Sequence, residues 1–151
     1  FCLSRGLGDV YKRQVLISWS AVTANITAPT WLLWGATVLW TLGFDTIYAM
    51  SDRIDDKRIG INSSAIFFGK YAPTAIAIFL MGTVILLAGV GVLVHLKTAF
   101  WISLIFATIG WIWQIMRLQQ PKIPHPAYGE MFRQNVWIGF LILAGMIIGS
   151  F

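Results

Sequence analysis

Residues 43–64, GFDTIYAMSDRIDDKRIGINSS, decide how the rest of the chain is read. Four of the six acidic residues in the 151-residue chain (Asp45, Asp52, Asp55, Asp56) fall inside this stretch, interleaved with Arg53, Lys57 and Arg58. If a helix continues past Met50, the 100° step per residue brings Asp45, Tyr48, Asp52 and Asp56 within an arc of about 80°. Asp52 and Asp56 are then neighbours about 6 Å apart along the axis, with Asp45 about 10 Å further in. Gly60 suits the end of that helix, because glycine accepts the left-handed conformation of a C-terminal cap.

Outward from this stretch the chain is greasy. It is 58% hydrophobic and 11% charged, against about a quarter charged in an ordinary soluble domain. Its mean hydropathy is +0.75 and it has eight tryptophans, a residue favoured where an apolar body sits in lipid and its N–H reaches the headgroups. The expected fold class is therefore an all-α membrane protein, a multi-helix transmembrane bundle. The net charge of +5 is spread over short loops between apolar runs, a pattern of membrane topology rather than of nucleic-acid binding. Cys2 is the only cysteine, so neither an intrachain disulfide nor a cysteine metal site is expected.

Residues 1–14, FCLSRGLGDVYKRQ, differ from everything after them and read as a non-native tail, so the domain is taken as 15–151. Residues 15–27 are apolar but shorter than the roughly 20 residues of a membrane-crossing helix, and read as a cut helix or an interfacial segment. Four complete spans are expected, at residues 30–50, 71–96, 98–116 and 135–151. Pro29 suits a helix start. The prolines of QQPKIPHPAYGE predict a loop ahead of the last span. Basic residues concentrate in 51–70 and 117–133, whereas Lys97 stands alone between them. The positive-inside rule puts the acid-rich stretch on the cytoplasmic side.

The chemistry follows from the residue types. A hard cation such as Mg²⁺ is held by one or two carboxylates together with water and substrate phosphates, so Asp52 and Asp56 point to a metal-bound diphosphate. Arg53, Lys57 and Arg58 would neutralise its remaining charge. Tyr48 offers a phenol donor or a ring face for a cation. A mixture of acids and bases at the end of a span is often only a solvated cap. Asp45 tips the balance, because an ionisable residue inside a span is costly and marks function.

The pattern Asp45-Thr46-x-Tyr48-Ala49-Met50-x-Asp52-Arg53-x-Asp55-Asp56-x-x-Ile59-Gly60-x-x-Ser63 resembles the second aspartate-rich motif of the UbiA superfamily of intramembrane prenyltransferases. The similarity continues through Ala65-Ile66-x-Phe68-Gly69 and to Phe132-x-x-Asn135-x-x-x-Gly139. The resemblance implies a C-terminal half of such an enzyme, with polyprenyl diphosphate and 4-hydroxybenzoate as substrates and Mg²⁺ as cofactor, in the pathway to ubiquinone. Asp52 and Asp56 would be metal ligands, Asp45 and Tyr48 catalytic groups nearer the reacting centre, and Asn135 a contact near the diphosphate. The bacterial inner membrane is the implied location. Asn62 stands where the family commonly has lysine, and no first aspartate-rich motif occurs in these residues, so the chain is expected to be inactive by itself. Haem, chlorophyll or menaquinone prenyltransferases of the same superfamily are the nearest alternatives. A cation transporter or channel subunit is the alternative from another class; it would place further ionisable groups in other spans, and only Asp45 lies in one.

His95 and His125 read as interfacial and loop residues. Trp101, Trp111 and Trp113 read as belt or lipid-facing before they read as a substrate channel. Gly82, Gly89, Gly91, Gly139, Gly145 and Gly149 read as close helix contacts.

Overall fold

Proline and threonine set the start of the first long helix. In the computed structural model, which describes residues 13–22, 24–120 and 123–151, residues 13–22 form a helix (α1). The expected tail lies outside the described residues except for its last two positions, as does Lys122 in the basic loop. Thr27 is extended, its N–H bonds to the Thr30 hydroxyl at 3.2 Å, and Pro29 sits in the first turn of α2, Ala28–Ser51. Pro29 costs nothing there, because the first N–H groups of a helix have no internal partner.

The acid-rich stretch differs from a continuous helix. Helix α2 stops at Ser51; Asp52, with φ −98° and ψ 3°, makes a bend, and α3 runs Arg53–Ile59. The Asp56 N–H still bonds to the Asp52 carbonyl at 2.8 Å, so the bend redirects the axis without leaving this carbonyl unpaired. Gly60 closes α3 at φ +78°, its N–H bonded to the Asp56 carbonyl, as expected of a left-handed cap. A short helix α4, Ser64–Phe68, and one 3₁₀ turn, Gly69–Tyr71, lead into α5, Ala72–Leu93.

Helices α6, Thr98–Leu118, and α7, His125–Gly149, complete the chain. The tight connection between α5 and α6 is as expected. The start of α7 is not: helix occupies the last six residues, 125–130, of the stretch that the prolines suggested was loop. Pro124 is the N-cap and Pro126 lies in the first turn, the one place where a helix tolerates proline. Among the described residues three segments are long and apolar enough to cross a membrane: Ser64–Leu93, Thr98–Leu118 and His125–Gly149. Helix α2, the fourth expected span, has the length, 24 residues, but Trp31, Trp34, Trp40, its threonines and Asp45 lower its apolarity.

The helices pack antiparallel in two pairs, α2 with α5 and α6 with α7, and α2 also meets α7. The close approach of α6 and α7 depends on Gly145, where a Cβ would collide with the side chain of Ser103. The core between the pairs contains Ile76, Leu80, Phe100 and Trp111, each fully buried. Antiparallel packing brings the C-terminal ends of α2 and α6 and the N-terminal ends of α5 and α7 to one end of the bundle. The acid-rich stretch sits at that end.

Candidate active site

At the acid-rich end no charged side chain is fully buried. Asp55, Lys57 and Arg58 are exposed, and Asp52, Arg53 and Asp56 are half-buried. Ser51 Oγ lies 2.7 Å from the Tyr48 carbonyl and 2.9 Å from Asp52 Oδ1, so the hydroxyl is shared between helix end and carboxylate. Asp52 and Asp56 remain one turn apart across the bend. Asp45 lies two turns earlier on α2 and is exposed on the bundle of described helices, not enclosed in its core. Among the described residues two buried donors at this end have no hydrogen-bond partner: Arg53 Nε and Ser63 Oγ. Leaving such a group unpaired costs about 1–3 kcal/mol.

The donor set tests the expected cation. Among the described residues no three His, Cys, Asp or Glu side chains are grouped closely enough to hold a metal ion. Asp52 and Asp56 are hard oxygen donors and fit Mg²⁺ in kind. They also fit in number, because this ion usually takes only one or two carboxylates and fills its remaining positions from water and phosphate.

Just inside this end, aromatic rings close around a hollow. Phe44 and Tyr48, one turn apart on α2, both meet Phe132 of α7, with ring centroids 5.9 and 6.2 Å away. Below them a hollow of about 300 Å³ opens between α2 and α7, with Trp40, Phe44, Phe132 and Asn135 in its wall. Tyr48 thus stands at its rim, between the carboxylates and an apolar space.

Asn135 is part of a buried polar network, not of the charged cluster. Its Oδ1 accepts from the indole N–H of Trp40 at 3.1 Å and of Trp111 at 3.0 Å. Its Nδ2 donates to Gln114 Oε1 at 3.0 Å and to the Met131 carbonyl at 2.9 Å. Gln114 Nε2 in turn reaches Gln134 Oε1 at 3.1 Å. All four hydrogen-bonding positions of the Asn135 amide are filled, so no donor is left for a diphosphate in this arrangement. Trp111 is fully buried, in neither a belt nor a lipid-facing position. Trp113 remains outside, under the Arg117 guanidinium at 5.1 Å, and Trp101 bonds to the Leu96 carbonyl at the far end.

Sequence reasoning missed Trp40, Gln114 and Gln134. A signal was present: Gln114 is the one side-chain amide in the largely apolar α6, and a polar group at membrane depth has to find a partner inside the protein.

Residues 13–136 match the UbiA prenyltransferase family. The chain belongs to that family. A 4-hydroxybenzoate solanesyltransferase of Synechocystis sp. is 54% identical over 135 residues, which are 89% of this chain and 46% of the relative. The 4-hydroxybenzoate octaprenyltransferases of Tolumonas auensis and Coxiella burnetii are 37% and 36% identical, each over 94% of this chain and 49% of their own length. The chain spans about half the length of the curated relatives it matches. No solved structure matches it. Within a UbiA prenyltransferase the aspartate-rich stretch, the aromatic rim and the hollow are parts of one bundle of membrane helices.

Proposed function

We propose that this chain forms one half of a Mg²⁺-dependent polyprenyltransferase that moves a polyprenyl group from its diphosphate to 4-hydroxybenzoate, on the route to ubiquinone. The observation that carries this reading is the opening of an aromatic-walled apolar hollow at the carboxylate-bearing end of the bundle. A polyprenyl diphosphate has the same polarity, a polyanion joined to a hydrocarbon. The names of the relatives support both the prenyl group and the acceptor.

In this proposal Asp52 and Asp56 would hold Mg²⁺, which would supply positive charge to the departing diphosphate. Arg53, with its orphaned Nε, and Ser63 donate to diphosphate oxygens, and Lys57 and Arg58 add charge from the exposed side. The carbon–oxygen bond to diphosphate breaks and leaves an allylic cation at the rim. The rings of Tyr48, Phe44 and Phe132 face that cation and exclude water. The acceptor ring attacks ortho to its hydroxyl, forming a carbon–carbon bond, and loses the proton from that carbon. Asp45, next to Phe44 in sequence and on the inner side of the bend, takes the role of base. Asn135 acts through Trp40, not directly on the diphosphate.

The site faces the cytoplasm of a bacterial inner membrane in this reading, because the basic loops share its side. The 151 residues hold one carboxylate cluster, and catalysis needs the remainder of a longer protein to complete the site. The test is product formation by the full-length protein with Mg²⁺, a polyprenyl diphosphate and a panel of phenolic acceptors. Prenylated 4-hydroxybenzoate is the expected product; transfer only to another acceptor would reassign the substrate.

A further inference from the structure

The hollow below Phe44 and Phe132 does not end in solid core. A second hollow of about 150 Å³ continues along the same α2–α7 groove, with Leu33, Leu87 and Met146 in its wall. The two share Thr37, Trp40 and Gly139, so the Trp40 indole stands at the boundary between them. It is held from two sides by one turn of α7. Asn135 takes its N–H, and a Cβ on Gly139 would come within 2.9 Å of its Cη2 atom, so only glycine leaves the ring its place. The Trp111 ring packs edge-on against it, 5.7 Å between centroids, and its N–H shares the same Asn135 oxygen. An indole fixed by a hydrogen bond, a glycine and a second indole is a rigid partition.

We propose that Trp40 is the floor of the groove that takes the substrate's apolar tail, a specificity-determining residue, and that Asn135 is the positioning residue that holds it. The inference rests on the prenyltransferase reading above. From Thr37 to Phe44 the helix rises about 10 Å, and from Leu33 to Phe44 about 16 Å. An extended isoprene repeat of four bonds covers about 4.5 Å at the bond dimensions of an extended chain. The upper hollow therefore takes two isoprene units, and the floor stops a third from continuing along the groove into the lower hollow.

The experiment compares kcat/KM for geranyl and farnesyl diphosphate, with 4-hydroxybenzoate and Mg²⁺, in full-length protein in membranes. Trp40→Ala joins the hollows and buries the third unit, and the farnesyl-to-geranyl ratio rises about tenfold, the worth of burying a few methylene groups. Leu33→Trp refills the lower hollow; it leaves the wild-type ratio unchanged and cancels the gain in the Trp40→Ala background. Asn135→Ala raises the ratio in the same direction. If Trp40→Ala does not accumulate, Trp40→Phe decides through a smaller rise of the same sign. An unchanged ratio in the Trp40 variant recovered overturns the floor while transfer by the wild type stands. Absence of transfer by the wild type to any acceptor defeats the underlying reading instead.

Discussion

The acid-rich end and the Asn135 network hold comparable numbers of polar groups and use them in opposite ways. Around Asn135 every amide position is matched by Trp40, Trp111, Gln114 and the Met131 carbonyl. Between Arg53 and Arg58 the carboxylates and cations make no side-chain hydrogen bond to one another, and Arg53 Nε is buried without an acceptor. The difference teaches where to look for ligand chemistry in a membrane bundle. Polar capacity spent inside the protein holds helices together, and polar capacity left over at a helix end is there for something else.

The comparison breaks most visibly at the carboxylates. Asp52→Ala or Asp56→Ala in the full-length protein is expected to lower prenyl transfer at least about a hundredfold, because charge neutralisation of a leaving diphosphate contributes several kcal/mol. Thermal stability in detergent should change little, since both side chains are partly exposed and the side-chain hydrogen bond of Asp52 is to its neighbour Ser51. A large loss of stability with modest loss of rate would mean that the acid-rich end is structural. Asn135→Ala is the converse experiment. It strands two indole N–H groups, and interhelical hydrogen bonds in membranes are worth about 0.6 kcal/mol on average and up to about 1.7, so a loss of about 1–3 kcal/mol is expected in a reversible unfolding titration. Blue-shifted tryptophan fluorescence from Trp111 should move toward the red in the same variant; unchanged fluorescence and stability would remove the network from the account.

Two smaller effects sharpen the same contrast. Gly145→Ala places a methyl group against Ser103 and should cost about 1–3 kcal/mol by overpacking, read by the same titration, while the carboxylate chemistry is retained. The Arg117–Glu130 ion pair, 3.1 Å long and partly exposed, should matter least. Glu130→Ala is expected to cost under about 1 kcal/mol, and any cost should fade as salt is added.

How far the sequence could be read follows the same division. The all-helical membrane bundle, the tight α5–α6 turn, Pro29 at a helix start and Gly60 at a helix end were legible, because each rests on local chemistry or on composition. The bend at Asp52 was not, since helix periodicity runs through it without a proline or glycine to mark it. The start of α7 at His125 was hidden by Pro124 and Pro126, which discourage helix inside a segment and permit it at the first turn. Helix α2 has the expected length, and it is less apolar than the other long helices because Asp45, its threonines and its tryptophans dilute the aliphatic residues. Charged candidates announced themselves by type and spacing. Trp40 and Trp111 did not, because an indole in a greasy helix reads the same whether it faces lipid or an asparagine 95 or 24 positions away.

The central claim is that the acid-rich end receives a diphosphate through a divalent cation. The most direct test is binding of a non-reactive farnesyl diphosphate analogue to the full-length protein in detergent, titrated with and without Mg²⁺, in the wild type and in the Asp52→Asn, Asp56→Asn double variant. The account predicts tight binding that requires Mg²⁺ and is lost in the double variant, which keeps the shape of both side chains but not their charge. Binding that is equally tight without Mg²⁺, or unaltered by the double substitution, would contradict it.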